Sequence, residues 1–480
     1  MAPGTGGLEA FRDLERFLAD AAQARAGLGV LEPECERRGR ELVRLALQAH
    51  LDARGSGDVG PVVVVDGPDG PVRLKRRRSR TRRVLTLFGE ISICRVGYSA
   101  AGTASVYPLD AELALPARCW SYELSRRLVR ATVCGPFDEA IGLVAESTGV
   151  RIPKRSAEQV VVDAAVDVEA FYATRQGIRP DRGDMLVAAI DCKGIPMVRP
   201  DPAPKVVRRR KGEKANKKKM ATVGAVHAQG PYLRTAGQVV ASLFDPPGDN
   251  GRQNHPRRQR SGKRVWASLT SDKDTFIAGV RAEMERRDPD RAHTWVIVTD
   301  GERALQRRVT KIFDDVTLVL DLLHVLDKLW KAAHVFHPEG TPEAIAFVRA
   351  RTERILGGGV SQVVKGLRQM STKRALRGTR AKTIHDVTAY LYANRERMRY
   401  DTYLSNGWPI ASGTVEGACK NLIRDRMERS GMRWSEPMAE AMLSLRATYL
   451  SGDFEAYWDW HVTRDQQRLH HDPPWHVGPK

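Results

Sequence analysis

A chain of 480 residues exceeds one ordinary hydrophobic core and predicts several domains, with 42% hydrophobic content sufficient to pack them. With 78 Lys+Arg against 58 Asp+Glu the formal net charge is +20, which points to a polyanionic partner. No apolar run is long enough for a membrane span, the basic clusters lack the apolar stripe of a membrane-surface helix, and six scattered cysteines without a C-x-x-C pair argue against a zinc ribbon or disulfide framework.

The opening MAPGTGGLEAFRDLERFLAD has no charged segment leading into an apolar one, so no secretory signal is expected, and a reduced cytoplasmic setting follows. Residues 1–60 read as a helical region, with Leu42, Leu45, Leu47 and Leu51 in its second segment, closed by the flexible RGSGDVG. Residues 61–120 carry turn signals in VVVVDGPDGPVRL and then the basic run KRRRSRTRRV. Leu85, Leu87, Ile91 and Ile93 alternate about Gly89, which predicts a β-hairpin. A basic arm on such a hairpin is suited to lie along phosphates through Arg76, Arg77, Arg78, Arg80 and Arg82.

Residues 121–180 return to helix, with helix–turn–helix character. One helix is predicted to stop at Gly149 and the next to start near Ser156, which would present Lys154 and Arg155 to a DNA major groove. From 181 to 334 the texture alternates β and α, with five strands predicted. The first, LVAAI, ends at Asp191; ATVGAVHA and RVWASL follow; TWVIVT ends at Asp300 and VTLVL at Asp321. The basic segment before the second strand holds Arg208, Arg209, Arg210, Lys217, Lys218 and Lys219, a further phosphate-tracking candidate. Residues 335–405 read as a helical insertion, 406–450 as completion of the core, and 451–480 as a helical tail.

Acids at the ends of three apolar strands demand an account, because an unpaired buried carboxylate costs several kcal/mol or shifts its pKa upward. Each one alone reads as a turn or cap residue: Asp191 before Lys193-Gly194, Asp300-Gly301 as a turn dipeptide, Asp321 as the cap of the helix holding His324. Together, at strand termini where ligands of open α/β sheets gather, they suggest carboxylates neutralised by a hard divalent cation, Mg²⁺ with Mn²⁺ as substitute. A further acid, Glu416, lies in GWPIASGTVEGACKNLIRDRMERSGMRW, in the first turn of a helix capped by Ser412 or Thr414. Arg424, Arg426 and Arg433 follow it and predict a basic face for phosphates, while Trp408 and Trp434 read as core residues or as a platform for a flipped base. No G-x-x-x-x-G-K-[ST] loop occurs, which argues against a nucleotide-driven machine.

The order Asp191, Asp300-Gly301, Asp321-x-x-His324 and Glu416 resembles the DDE transposases with a ribonuclease H-like core. LTLFGEISICRVGYSA, IDCKGI with RKGEKANKKKMATVGAV, LDLLHVLDKLWKAAHVF, the Glu416 stretch and SGDFEAYWDWH are similar, more narrowly, to the bacterial ISKra-type insertion-sequence transposases, over roughly residues 70–465. The resemblance implies a multidomain α+β chain, in which a ribonuclease H-like α/β core (a mixed five-stranded sheet with helices) holds a helical insertion and follows a helical and β-hairpin DNA-binding region. It implies Mg²⁺-dependent cleavage and 3′-hydroxyl strand transfer on double-stranded DNA, at insertion-sequence ends and in target DNA. Asp191, Asp300 and Glu416 would be the metal ligands and catalytic acids, with Asp321 and His324 supporting them. A homodimer or higher oligomer on DNA and a nucleoid-associated, non-membrane location belong to the same expectation. A ribonuclease H-like nuclease or resolvase, or an inactive DNA-binding regulator derived from a transposon, are the competing readings.

Overall fold

The computed structural model describes residues 5–67, 70–198, 218–245, 260–470 and 475–477. The chain divides into two compact units, one of residues 1–173 and 453–480 and one of residues 174–452. The division does not follow chain order: the helix Phe454–His470 belongs with the N-terminal residues.

In the first unit, α1 (Thr5–Ala19) packs on α2 (Leu28–Ala53). Strands β1 (Val62–Gly67) and β2 (Gly70–Arg76) form an antiparallel hairpin, extended on one side by Trp475–Val477 and on the other by β5 (Tyr98–Ser99). Between them β3 (Arg80–Thr86) and β4 (Gly89–Arg95) make the expected hairpin, with Thr86 opposite Gly89 and Ile91 and Ile93 buried, but β3 buries Val84 and Thr86 while Leu85 and Leu87 are half-buried, the opposite phase to the one the alternation predicts. Gly89 has φ 120°, a conformation that L side chains rarely adopt, so glycine closes this turn. After the short α3 (Pro108–Glu112) come α4 (Tyr122–Cys134), α5 (Phe137–Thr148), α6 (Lys154–Ala165) and α7 (Val168–Thr174). Helices α4, α5 and α6 pack mutually, and α5 ends on Gly149 in the left-handed conformation, φ 71°, as expected.

The second unit holds a mixed five-stranded sheet, and the whole is α+β. Its strands are β6 (Met185–Pro196), β7 (Lys218–Gln229), β8 (Arg260–Ser268), β9 (Thr294–Thr299) and β10 (Thr317–Leu320), in spatial order β10-β9-β6-β7-β8. The β6–β7–β8 pairings are antiparallel; β9 is parallel to β6 and β10 to β9. Connections run through α8 (Ala236–Phe244), α9 (Lys273–Arg287) and α10 (Arg303–Ile312). Asp272 caps α9 by accepting from the Asp274 and Thr275 amides.

Strand residues alternate between faces. Leu186, Ala188 and Ile190 pack with Trp295, Ile297, Phe276, Ile277, Val280, Leu305 and Val309 in one buried cluster, so α9 and α10 cover that face. Each fully buried side chain of this size contributes about 1.5–3 kcal/mol. The odd positions of β6 and the even positions of β9 therefore face the other way.

After the sheet come α11 (Leu322–Phe336), α12 (Pro342–Leu356), α13 (Val360–Lys373), α14 (Gly378–Ala393) and α15 (Tyr400–Ser405). The chain closes on the sheet through α16 (Gly413–Ala418), a π-helical stretch Cys419–Arg424, α17 (Asp425–Met427) and α18 (Glu436–Ser451). Among the described residues no helix is long and apolar enough to cross a membrane.

Candidate functional site

The parallel pairing aligns Ile190 with Thr299 and Thr299 with Leu320. The next residue on each of the three neighbouring strands is an aspartate: Asp191, Asp300 and Asp321. One register step thus carries three carboxylates across adjacent strands. Parity turns them away from the α9/α10 face.

Their local settings differ. Asp191 is not a strand terminus, as expected from the sequence, but lies inside β6. The pairing with β9 stops at Ile190, while the antiparallel pairing with β7 continues to Pro196 opposite Lys218. One Asp191 oxygen accepts from the Cys192 amide at 2.7 Å and the other from the Cys419 thiol at 3.3 Å. Burial pushes the Cys419 thiol pKa up, with the Asp191 charge adding to the effect. Cys419 therefore stays protonated and can donate.

Asp300 follows the last residue of β9, and its Oδ1 accepts from the Glu302 amide at 3.0 Å. Burial raises its pKa; the Asp191 charge works in the same direction, and the Glu302 amide opposes them. Asp300 is thus electrostatically under-compensated, a state that a cation relieves. Gly301 is fixed by a close approach: a Cβ there would lie 2.1 Å from the Tyr390 hydroxyl. Gln306 reaches the Asp300 carbonyl at 3.1 Å and Asn394 Oδ1 at 3.0 Å, tying the end of α14 to the strand end.

Asp321 serves a different purpose. It is 1% exposed; Oδ1 caps α11 by accepting from the Leu323 amide at 2.8 Å. Oδ2 accepts from the Ser412 amide at 3.2 Å and from the Ser412 hydroxyl. The Leu322 amide donates to the Ile410 carbonyl at 2.9 Å, so segment 410–412 is stitched to the start of α11. Burial would push the Asp321 carboxyl up, but His324, Ser412 and the Leu323 amide outweigh that and hold it below the usual range. His324 Nδ1 lies 3.7 Å from Asp321 Oδ2, and this contact raises the imidazole pKa against burial, with Asp300 and Asp191 contributing further.

Glu416 is exposed on α16, which packs against β6 and β7. Its amide donates to the Ser412 carbonyl at 3.0 Å, which places it one turn beyond the residue anchored to Asp321. Cys419, the residue touching Asp191, lies three positions further along the same helical path. The structure gathers Asp191, Asp300, Asp321 and His324 at one sheet end and sets Glu416 on a neighbouring helix. Among the described residues no three His, Cys, Asp or Glu side chains form a group that would hold a metal ion by themselves. Asp191 and Asp300, at the ends of one register step, and Glu416, on the helix packed against β6 and β7, carry the hard oxygen donors that a divalent cation would take.

The basic candidates divide by burial. Arg78, Arg80, Arg155, Arg424 and Arg433 are exposed. Arg76 pairs with Asp58 at 2.6 Å, Arg77 bonds Ser99, Lys154 pairs with Asp138 at 2.8 Å, Lys218 with Glu428 at 2.7 Å and Lys219 with Glu436 at 2.6 Å. Two expectations are corrected. Arg82 is held inside its unit by Asp110 and the Pro116 and Arg118 carbonyls. Arg426 is 1% exposed, with its guanidinium 4.9 Å from the Trp434 ring centroid. A buried guanidinium reaches no phosphate, so Arg424, Arg426 and Arg433 do not form one basic face. Trp434 is a core residue, 4% exposed and bonded to the Met427 carbonyl at 2.9 Å. Arg208, Arg209, Arg210 and Lys217 lie outside the described residues.

Sequence reasoning missed Ser412 as an anchor, Cys419 and Tyr390. The i, i+3 spacing from Glu416 to Cys419 was a usable signal; nothing local marks Tyr390. No protein-family model matches the chain, and no curated protein matches it at a significant level.

Proposed function

We propose that the chain is a transposase of an insertion sequence, which binds element ends and catalyses divalent-metal-dependent cleavage and 3′-hydroxyl strand transfer on DNA. The carrying observation is the single register step that puts Asp191, Asp300 and Asp321 on adjacent strands. The strand order β10-β9-β6-β7-β8, with its antiparallel β6–β8 and parallel β9 and β10, supports a ribonuclease H-like core. The resemblance of the Asp191, Asp300 and Glu416 motifs to DDE transposases narrows the chemistry to phosphodiesters, and the net charge of +20 suits a nucleic-acid substrate.

In this reading Asp191, Asp300 and Glu416 hold Mg²⁺ or Mn²⁺. Such an ion, when bound, supplies Lewis acidity at the scissile phosphate and activates the attacking oxygen. The remaining work belongs to side chains. The Cys192 amide and the Cys419 thiol fix both Asp191 oxygens. Tyr390 packed on Gly301 sets the course of the chain at Asp300. The Asp321–Ser412 link positions the start of α16 and hence Glu416. The exposed Arg424 and Arg433 neutralise phosphates beside the cut.

The test is incubation of the protein with labelled end-containing DNA and Mg²⁺, wild type beside Asp191→Ala. Joined products are expected from the wild type alone. Cut but unjoined ends would identify a nuclease, and shifted but unbroken DNA a regulator.

A further inference from the structure

The helices between α11 and α16 hold a cavity of about 600 Å³ whose lining includes Lys365, Arg368, Gln369, Thr372, Lys373 and Tyr392. Positions 365, 368, 369 and 372 share one face of α13 by helical spacing, and all are exposed. Lys365 and Arg368 on that face and Lys373 beside it give the lining three cations and no acid. No ion pair involves Lys365, Arg368 or Lys373 among the described residues. Tyr392, from α14, is 48% exposed, with the Arg395 guanidinium 4.4 Å and the Arg368 guanidinium 5.9 Å from its ring centroid. Clustered cations without counter-charge repel one another, and a polyanion relieves that repulsion. With half of its surface exposed and guanidiniums near it, the Tyr392 ring offers a stacking platform, and only an unpaired base has a free face to stack on it.

The position is informative too. Tyr390, two residues earlier on α14, packs on Gly301 beside Asp300, while Tyr392 faces the cavity. Two residues turn a helix through about 200°, so the carboxylate end and the cavity lie on opposite sides of one helix, about 10–12 Å across.

We infer that the Lys365–Arg368–Tyr392 cavity binds single-stranded DNA, stacking an unpaired base on Tyr392 while Lys365, Arg368 and Lys373 meet the flanking phosphates. The identity of the strand, an element end opened beside the cut, rests on the transposase reading; binding itself does not. The probe is a fluorescein-labelled 12-mer of thymidylate, read by anisotropy with the full-length protein. Tyr392→Ala weakens binding about 5- to 150-fold, the range of one base–aromatic stack, and Tyr392→Phe restores it. Lys365→Ala and Arg368→Ala each flatten the log–log salt dependence by about 0.7. An iodouracil-containing oligonucleotide crosslinks within residues 389–395. Wild-type affinity in Tyr392→Ala, a crosslink mapped elsewhere, or equal losses for a duplex of the same length overturns the inference. Oligonucleotide binding measured in EDTA separates it from the proposed function, because cleavage and strand transfer would need the divalent ion whereas stacking on Tyr392 does not.

Discussion

Replacing Asp321 by alanine tests how Glu416 is positioned. The carboxylate is 1% exposed and accepts from the Leu323 amide, the Ser412 amide and the Ser412 hydroxyl. Loss of the helix cap costs about 1 kcal/mol, and each buried donor deprived of a charged acceptor about 1.5–3 kcal/mol. The hydroxyl can rotate to another acceptor, so the expected total is about 2.5–4 kcal/mol. Urea unfolding followed by near-ultraviolet circular dichroism gives the midpoint shift. Amide exchange at Ser412 and Glu416 should accelerate in parallel, because segment 410–412 loses its tether. Asp321→Asn, which retains one acceptor, falls between the two. Stability within about 1 kcal/mol of wild type, with unchanged exchange at Ser412, would refute the anchoring argument. The pH dependence follows from the same bonds. A carboxyl held below its usual range contributes stability that is present above the unfolded value and lost as pH falls through the folded one. His324, raised by Asp321, contributes stability that is present below its unfolded value and lost as pH rises through the folded one. In Asp321→Ala the first contribution disappears and the second shrinks to what Asp300 and Asp191 supply.

Asp300 has the opposite linkage from Asp321: its raised pKa means that stability falls as pH rises from the unfolded value through the folded one. Asp300→Asn should therefore raise the metal-free melting temperature at neutral pH, and Mg²⁺ should stabilise wild type but not the variant, as thermal denaturation with and without the ion will read. Gly301→Ala drives a methyl into Tyr390 and should lower cleavage at least tenfold while wild-type far-ultraviolet circular dichroism persists. Arg78→Ala should flatten the salt dependence of duplex binding by about 0.9. Arg82→Ala should instead lower the melting temperature of its unit, because Asp110 loses a buried partner. Glu283, 4% exposed among Arg264, Arg286 and Arg287, should cost about 3–5 kcal/mol as Glu283→Ala in urea unfolding.

Much of the second unit was legible along the chain. Apolar runs of strand length separated by amphipathic stretches predict five strands and their helices, because alternation and helical spacing are local consequences of which faces are buried. The Gly89 hairpin and the Gly149 stop are equally local, each resting on a backbone conformation that glycine accepts. The carboxylates at the ends of apolar runs stood out for the same reason: a charge is conspicuous where burial is expected. What separates Asp321 from Asp191 and Asp300 is not local. All three occupy one register step, yet only Asp321 meets the Ser412 donors, 91 positions away, and becomes an anchor. The burial of Arg426 under Trp434, the Cys419 contact to Asp191 and the pressure of Tyr390 on Gly301 likewise arise where distant segments pack. Residue type and spacing thus determined which groups were available for chemistry. Tertiary packing decided which of them kept a free charge, because a charge's role depends on the donors and the solvent that the fold brings to it.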